Sequence, residues 1–171
     1  MQKLYSEFIG MPVFSEYSSS PLALIKDAII DPENGKLLAL LVKNNHIIVP
    51  MDIERSTTSA IFIADNDRIL PVDDVLRVKM VLSRHISIPS AKVITEKNHE
   101  YLGRVTDFEI DTTHMVLANI HVAKQFLFLH FNERIIDFKH IVRIEKHSVI
   151  VKEQAVMSKA KVAVGESAFA G

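Results

Sequence analysis

The stretch Tyr101-Leu102-Gly103-Arg104-Val105-Thr106-Asp107-Phe108-Glu109-Ile110-Asp111 decides the fold of this chain. It predicts an apolar strand that ends in an aspartate. A second stretch 80 positions earlier, Pro21-Leu22-Ala23-Leu24-Ile25-Lys26-Asp27-Ala28-Ile29-Ile30-Asp31, has the same layout. Both stretches share Leu, Asp, Ile and Asp at matching positions. The chain therefore contains an internal repeat. The architecture of such a chain is described by its repeating unit.

The repeat extends well beyond these two stretches. A shift of 80 positions lays Val13–Val42 over Val93–Val122 without a gap, with eight of 30 positions identical. The rest of each copy aligns at a shift of 88, so the second copy has eight additional residues between Val122 and Ile135. These residues predict a longer hairpin arm where the first copy has a short turn.

Each copy predicts short strands separated by turns. Asp31-Pro32-Glu33-Asn34-Gly35 is a turn sequence, because proline presets φ and Asn and Gly accept left-handed conformations. Asp65-Asn66-Asp67 predicts a second turn. Short strands with β-branched residues and little helix are typical of a small barrel or sandwich. The predicted strands of the first copy lie near Ile25–Ile30, Leu37–Val42, Ile47–Val49 and Ile61–Ala64.

A helix and a tail complete the predicted organisation. Val75, Val78 and Leu82 lie at helical spacing behind Pro71 and two aspartates, which predicts a short amphipathic helix over Asp73–Leu82. We expect a mostly β protein of two tandem small barrels with this short connecting helix. The expected domains are a first barrel with its closing helix at 1–84, a second barrel at 85–152 and a flexible tail at 153–171.

Composition limits the classes of function. Of the 171 residues, 48% are hydrophobic and 24% charged, which suffices for a packed core. No apolar run approaches the roughly 20 residues of a membrane helix. The N-terminus lacks the apolar region of a signal peptide. The absence of cysteine excludes disulfides and thiolate chemistry. We expect a cytoplasmic protein without a membrane span, and the net charge of −1 counts against direct nucleic-acid binding.

The repeated aspartates are the first candidates for chemistry. Asp27 and Asp31 recur as Asp107 and Asp111. Residues four apart on a strand are separated by roughly 13 Å, which is too far for one shared metal ion. The second aspartate of each pair also lies where an aspartate caps a turn. All four are therefore predicted to be structural.

Histidines and hydroxyl residues are the remaining candidates. The eight histidines show no HxxxH or HExxH spacing. His121 and His130 are placed to face each other across the longer hairpin, but no carboxylate at short spacing completes a metal site. Ser18–Ser20 and Ser56–Ser59 lack the strand–turn–helix context of a catalytic serine. We expect no catalytic residue, no cofactor and no metal, and hence no enzymatic activity.

These residues resemble the PRC-barrel domains. The segment Tyr101–Asp111 matches the family's Leu-Gly-x-Val-x-Asp pattern, and Pro21–Pro32 followed by Pro50–Ile53 matches it in the first copy. The first copy departs at Ala23, where the family has the glycine seen at Gly103, which puts a glycine-dependent bulge there in question. The second copy has Phe138-Lys139-His140-Ile141 in place of the proline-led stretch.

The resemblance implies a docking module without chemistry of its own. Such barrels occur in the photosynthetic reaction-centre H subunit, in a ribosome maturation factor and in archaeal proteins linked to cell division. The expected function is a non-enzymatic adaptor that binds protein partners, among them a second copy of itself. The alternative is a ribosome-maturation or RNA-processing accessory factor that contacts nucleic acid through a ribonucleoprotein.

One segment of the second copy is apolar on both faces when read as a strand. Phe126 and Phe128 point one way, while Leu127, Leu129 and Phe131 point the other. Such a strand is either buried on both faces, or buried on one face while the other face contacts another molecule. Phe126 and Phe128 are therefore the predicted contact, either with the other barrel of the chain or with a partner or second subunit.

Overall fold

A computed structural model describes residues 1–126 and 129–157, and its structure is mostly β. The first half contains nine strands and two α-helices. Strands β1 to β5 are Gln2–Leu4, Pro12–Ser15, Ala23–Leu24, Asp27–Ile30 and Leu37–Lys43. Strands β6 to β9 are His46–Ile48, Ile53–Ser56, Ile61–Ile63 and Leu70–Pro71. Helices α1 and α2 are Tyr5–Phe8 and Leu76–Ser83, and 3-10 turns lie at Pro50–Asp52, Asn66–Arg68 and Val72–Asp74.

The second half has fewer but longer strands. Strands β10 to β15 are Lys92–Thr95, Tyr101–Asp111, Val116–Phe126, Leu129–Asp137, Ile141–Ile144 and Ser148–Val151. Two 3-10 turns lie at Phe138–His140 and Glu153–Met157. The predicted hairpin arm is seen in the backbone, since β12 and β13 remain paired as far as Phe126 and Leu129. The corresponding hairpin of the first half ends at the pair Lys43 and His46. Most of the predicted tail, from residue 158 onward, lies outside the described residues.

Helix α2 differs from the prediction at its start. The predicted helix began at Asp73, but Val72–Asp74 forms a 3-10 turn and Val75 has an extended backbone at φ −119°. The α-helix therefore begins at Leu76. Val78 and Val81 are buried against β4, β5 and β6, in a small hydrophobic cluster of their own. In the part of the chain that the structure describes, no helix is long and apolar enough to cross a membrane.

The strands form three sheets, and the two tandem small barrels of the prediction are not seen as closed barrels. In the first half, one four-stranded sheet has the order β3-β2-β8-β7 and another has the order β4-β5-β6-β9. The second half contributes a path β13-β12-β11-β10-β15-β14, and β1 adds a seventh strand through β11. Strands β13 and β14 lie at opposite ends of this path, and no pairing between described residues closes any of the sheets.

Strand pairings in the two halves agree at the sequence offsets. The parallel pair Val13–Ile61 corresponds to Val93–Val149, at shifts of 80 and 88. The antiparallel pair Leu40–Ile48 corresponds likewise to Ile120–Ile136. The bulges also correspond, since the register shifts after Ile29 and again after Glu109. These two pairings and this bulge therefore correspond between the halves in the structure as well as in the sequence.

The halves are joined by a reciprocal backbone contact and by a common core. Leu37 N–H donates to Met115 C=O at 2.8 Å, and Leu117 N–H donates to Gly35 C=O at 2.7 Å. Lys36 and Val116 form the bridge between them. The bond from Leu37 to Met115 is thus repeated at the 80-position offset by the bond from Leu117 to Gly35, which is the geometry of a local two-fold axis. The largest hydrophobic cluster contains buried residues from both halves, including Val13, Ile63, Val93 and Val151.

Gly103 explains why the halves differ in strand length. It has φ +135°, and an added Cβ would lie 2.9 Å from the Lys124 amide nitrogen and closer still to the Ala123 carbonyl. Because Gly103 has no Cβ, β11 can pass close to β12 at this point. It therefore remains one continuous strand that pairs with both β10 and β12. The first copy has Ala23 at this position, and there the chain forms two separate strands, β3 and β4. The prediction that Ala23 puts a glycine-dependent feature in question agrees with this break.

We predict that Gly103→Ala will lower the free energy of unfolding by more than about 2 kcal/mol, because the left-handed backbone and the backbone collision both penalise a Cβ. Ala23→Gly is the matched control at the equivalent position, with an expected cost of about 1 kcal/mol or less. Urea denaturation followed by circular dichroism measures both. Equal costs for the two variants would contradict the assigned role of Gly103.

Candidate interaction surfaces

Asp27 and Asp107 anchor the N-terminal segment. Asp27 accepts a hydrogen bond from the Tyr5 hydroxyl at 2.9 Å, and Asp107 accepts from the amide and hydroxyl of Ser6. Each carboxylate also accepts from the next backbone N–H of its own strand, at 2.8 Å in both cases. Burial and the Asp27 carboxylate raise the pKa of the Tyr5 hydroxyl, so it remains a donor. These two aspartates hold α1 across both halves.

Asp31 and Asp111 cap turns, as the sequence predicted. Asp31 accepts from the Glu33 amide at 2.9 Å and Asp111 from the Thr113 amide at 2.8 Å. Asp31 is buried and also receives both Nε and Nη2 of Arg77, at 2.9 and 2.7 Å. The sequence did not predict this bidentate pair, which attaches α2 to the turn. The hydrogen bonds from Arg77 hold the pKa of Asp31 below its ordinary value.

We predict that Asp31→Asn will destabilise the fold by about 1–3 kcal/mol near neutral pH, the usual contribution of hydrogen bonds to a charged group. Because the folded-state pKa is lowered, the stabilisation is complete above the ordinary value of 3.8 and is lost as the pH falls through the lower folded value. Denaturation of wild type and variant between about pH 3 and 7 measures this difference.

Asp65→Asn is the control, since Asp65 caps an exposed turn through the Asp67 amide. Its cost near neutral pH should be smaller than that of Asp31→Asn, because Asp65 has no guanidinium partner among the bonds that the structure describes. A difference between wild type and Asp31→Asn that does not shrink below pH 3.8 would show that the carboxylate charge is not what stabilises the turn.

The predicted approach of His121 and His130 is wrong. The strand register places His121 opposite Ile135 and His130 opposite Gln125. His121 instead lies 2.9 Å from Glu109, a carboxylate that sequence spacing did not bring near it. Burial alone would raise the pKa of Glu109, but hydrogen bonds from Asn119 and His121 lower it. Within residues 1–126 and 129–157, no group of three or more His, Asp or Glu side chains is arranged to hold a metal.

Lys3 is a buried lysine whose burial the sequence pattern did not predict. Lys3 is 4% exposed, and its ammonium donates to the carbonyls of Thr57 and Thr58 at 3.0 and 2.9 Å. Desolvation lowers the pKa of Lys3. The contact ties the β7–β8 turn to β1, so the hydroxyl run at 56–59 belongs to a structural turn.

Phe126 and Phe128 are the contact residues that the sequence predicted. Phe128 and the side chain of Phe126 lie outside the described residues. Only the backbone of Phe126 is placed, at the last pair of the hairpin with Leu129. Their role as a contact stays a prediction.

The face of the sheet β3-β2-β8-β7 that points away from the hydrophobic core has an aromatic cluster, in which Phe14 and Phe62 are half-buried. Phe14 and Phe62 are paired in register and their rings stack at 5.8 Å between centroids. The Arg55 guanidinium lies 3.6 Å from the centre of the Phe62 ring. Leu24, on the neighbouring strand β3, is 51% exposed. Neither phenylalanine belongs to the hydrophobic clusters among the described residues. We call Phe14, Phe62, Arg55 and Leu24 the aromatic face.

Sequence reasoning missed the aromatic face, although a signal was present. The 80- and 88-position offsets place Phe14 and Phe62 against Ile94 and Ile150. Replacement of a β-branched residue by Phe at two adjacent strand positions is visible once the copies are aligned. Whether those positions point outward depends on which sheet face is buried, and that required the structure.

The first half of the chain matches a protein-family model. Residues 1–77 match the model of the PRC-barrel domain. This range is similar to the PRC-barrel domain family. It covers β1 to β9 and ends within the first turn of α2, so it includes the aromatic face. The match holds although Ala23 replaces the family glycine. A search of curated proteins found no match for the chain.

Proposed function

We propose that this chain is a tandem pair of PRC-barrel units that works in the cytoplasm as a non-enzymatic docking protein. The tandem arrangement is supported by the agreement of strand register at the two offsets and by the reciprocal bonds from Leu37 to Met115 and from Leu117 to Gly35. The PRC-barrel match of residues 1–77 supports the docking role, because the resemblance implies a module without chemistry of its own.

The aromatic face carries this proposal. Interface hot spots are enriched in aromatic residues and arginine, and their energy comes from rings that become fully desolvated. Phe14 and Phe62 are already stacked, so little side-chain freedom remains to be lost on binding. A cation over a ring contributes about 0.5–1 kcal/mol at an exposed position and about 2 or more when desolvated. A partner that covers Arg55 would therefore strengthen a contact that already exists.

The aromatic face is tested by affinity capture from the source organism with the immobilised full chain. We expect protein partners that are retained by wild type and lost with Phe14→Ser/Phe62→Ser. Arg55→Glu is a second variant that leaves both rings in place and should also lose them. Leu76→Ser/Met80→Ser is the matched control, because these apolar side chains are 69% and 49% exposed on α2.

Two outcomes would contradict the docking role of this face. One is that the Leu76→Ser/Met80→Ser control loses the partners equally, which would indicate non-specific binding to exposed apolar residues. The other is loss of all partners after nuclease treatment and high salt, which would favour the ribonucleoprotein accessory role instead. Thermal melts of each variant show whether the fold is retained.

The proposal also includes self-association through the hairpin arm at Phe126 and Phe128. If these residues join two subunits, Phe126→Ser/Phe128→Ser should keep its melting temperature while the mass from sedimentation equilibrium falls. If they pack inside the chain, the same variant should lose several kcal/mol, as buried aromatic truncations do. Unchanged stability, mass and partners would eliminate the arm as a contact.

A further inference from the structure

A basic groove lies in the second half at the position that corresponds to one edge of the aromatic face. At the 80- and 88-position offsets, Lys92, Arg104 and His147 replace Pro12, Leu24 and Ser59. The first half therefore has no ionisable side chain at these three positions, whereas the second half has two cations and a histidine. The groove has a volume of about 490 Å³ and is lined by Ser87, Pro89, Ser90, Ala91, Lys92, Arg104 and His147.

The two cations of the groove face each other. Lys92 and Arg104 are directly opposite in the antiparallel pair of β10 and β11. Opposed residues have Cβ atoms about 4.5–5.5 Å apart, and like charges at that spacing repel. Among the ion pairs of the described residues, none includes Lys92 or Arg104. By contrast, the nearby Arg143 is paired with Glu145 at 2.7 Å.

The backbone of the groove holds Arg104 in place. Arg104 Nη1 donates to the Ser90 carbonyl at 2.8 Å. Ser90 has a left-handed backbone at φ +65°. The equivalent residue of the first half, at the 80-position offset, is Gly10 at φ +81°. A non-glycine residue in this region is strained, and such strain persists where the surroundings over-determine it, often at functional sites. The groove therefore presents an orientated guanidinium beside the exposed ammonium of Lys92.

We propose that this groove binds the carboxylate groups of an acidic segment of a partner protein. The inference rests on the proposed docking function and specifies the chemistry of the partner. An anion between Lys92 and Arg104 would turn a repulsive pair into two attractive contacts, and arginine binds carboxylates in a bidentate manner. A groove of about 490 Å³ has room for one or two carboxylate side chains of such a segment.

The observations favour a peptide over RNA. Single-stranded nucleic acid is bound by a cationic groove together with aromatic side chains on which bases stack. The lining residues include no Phe or Tyr and only two permanently charged cations. The aromatic residues of the aromatic face belong to the first half, on a different sheet.

The test uses the intact chain with a fluorescein-labelled peptide of alternating Glu, Asp and Gly. An isosteric Gln, Asn and Gly peptide and an RNA oligonucleotide of equal charge are the comparison probes. We expect anisotropy to show binding of the acidic peptide only, at least about tenfold weaker in Lys92→Gln/Arg104→Gln, because two charge-assisted contacts are lost. Arg143→Gln, which removes a paired cation, should bind as wild type does.

Amide NMR shifts on adding the peptide should cluster at Ser90, Lys92 and Arg104. No binding of the acidic peptide, equal binding by the double variant, or tighter binding of the RNA would each overturn the inference. The Phe14→Ser/Phe62→Ser variant should bind the peptide normally. Failure of the peptide test therefore leaves the aromatic face untouched, and loss of the aromatic face leaves the peptide test valid.

Discussion

The two halves of the chain depend on one reciprocal backbone contact, in which Leu37 and Leu117 each donate an amide hydrogen to the turn of the other half. Both leucines are buried, at 4% and 1% exposure, so their amides require a protein partner. The turns that accept these bonds are capped by Asp31 and Asp111. Each cap thus positions a carbonyl that the opposite half needs.

The common hydrophobic core follows from this contact. A unit of about 75 residues buries a smaller share of its surface than a domain of about 150, so it is marginal by itself. Here the inner faces of both halves join one cluster, and β1 and α1 extend from the first half onto β11. Tyr5 is the clearest link, because its ring stacks on Phe108 at 4.6 Å while its hydroxyl bonds Asp27. Burial is therefore shared between the halves.

The same backbone frame leaves the outward positions less constrained. Val13 and Val93 are both fully buried, and they are identical. One residue further along β2 and β10, the outward positions hold Phe14 in the first half and Ile94 in the second. At Leu24 and Arg104 the change is from an apolar side chain to a cation. Inner positions must fill a fixed volume, whereas outer positions are not restricted by core packing.

The sequence by itself determined the β-rich architecture, the repeat offsets and the turn caps, because strand alternation and Asx turns are local in the chain. The PRC-barrel character of residues 1–77 could also be read from local motifs. Tertiary structure decided the rest. The sheets are open, and β1 pairs with β11 of the other half. His121 lies beside Glu109, and Lys92 lies opposite Arg104. Register and strand partners depend on non-local pairing, and a shift of one residue reverses which side chains point outward.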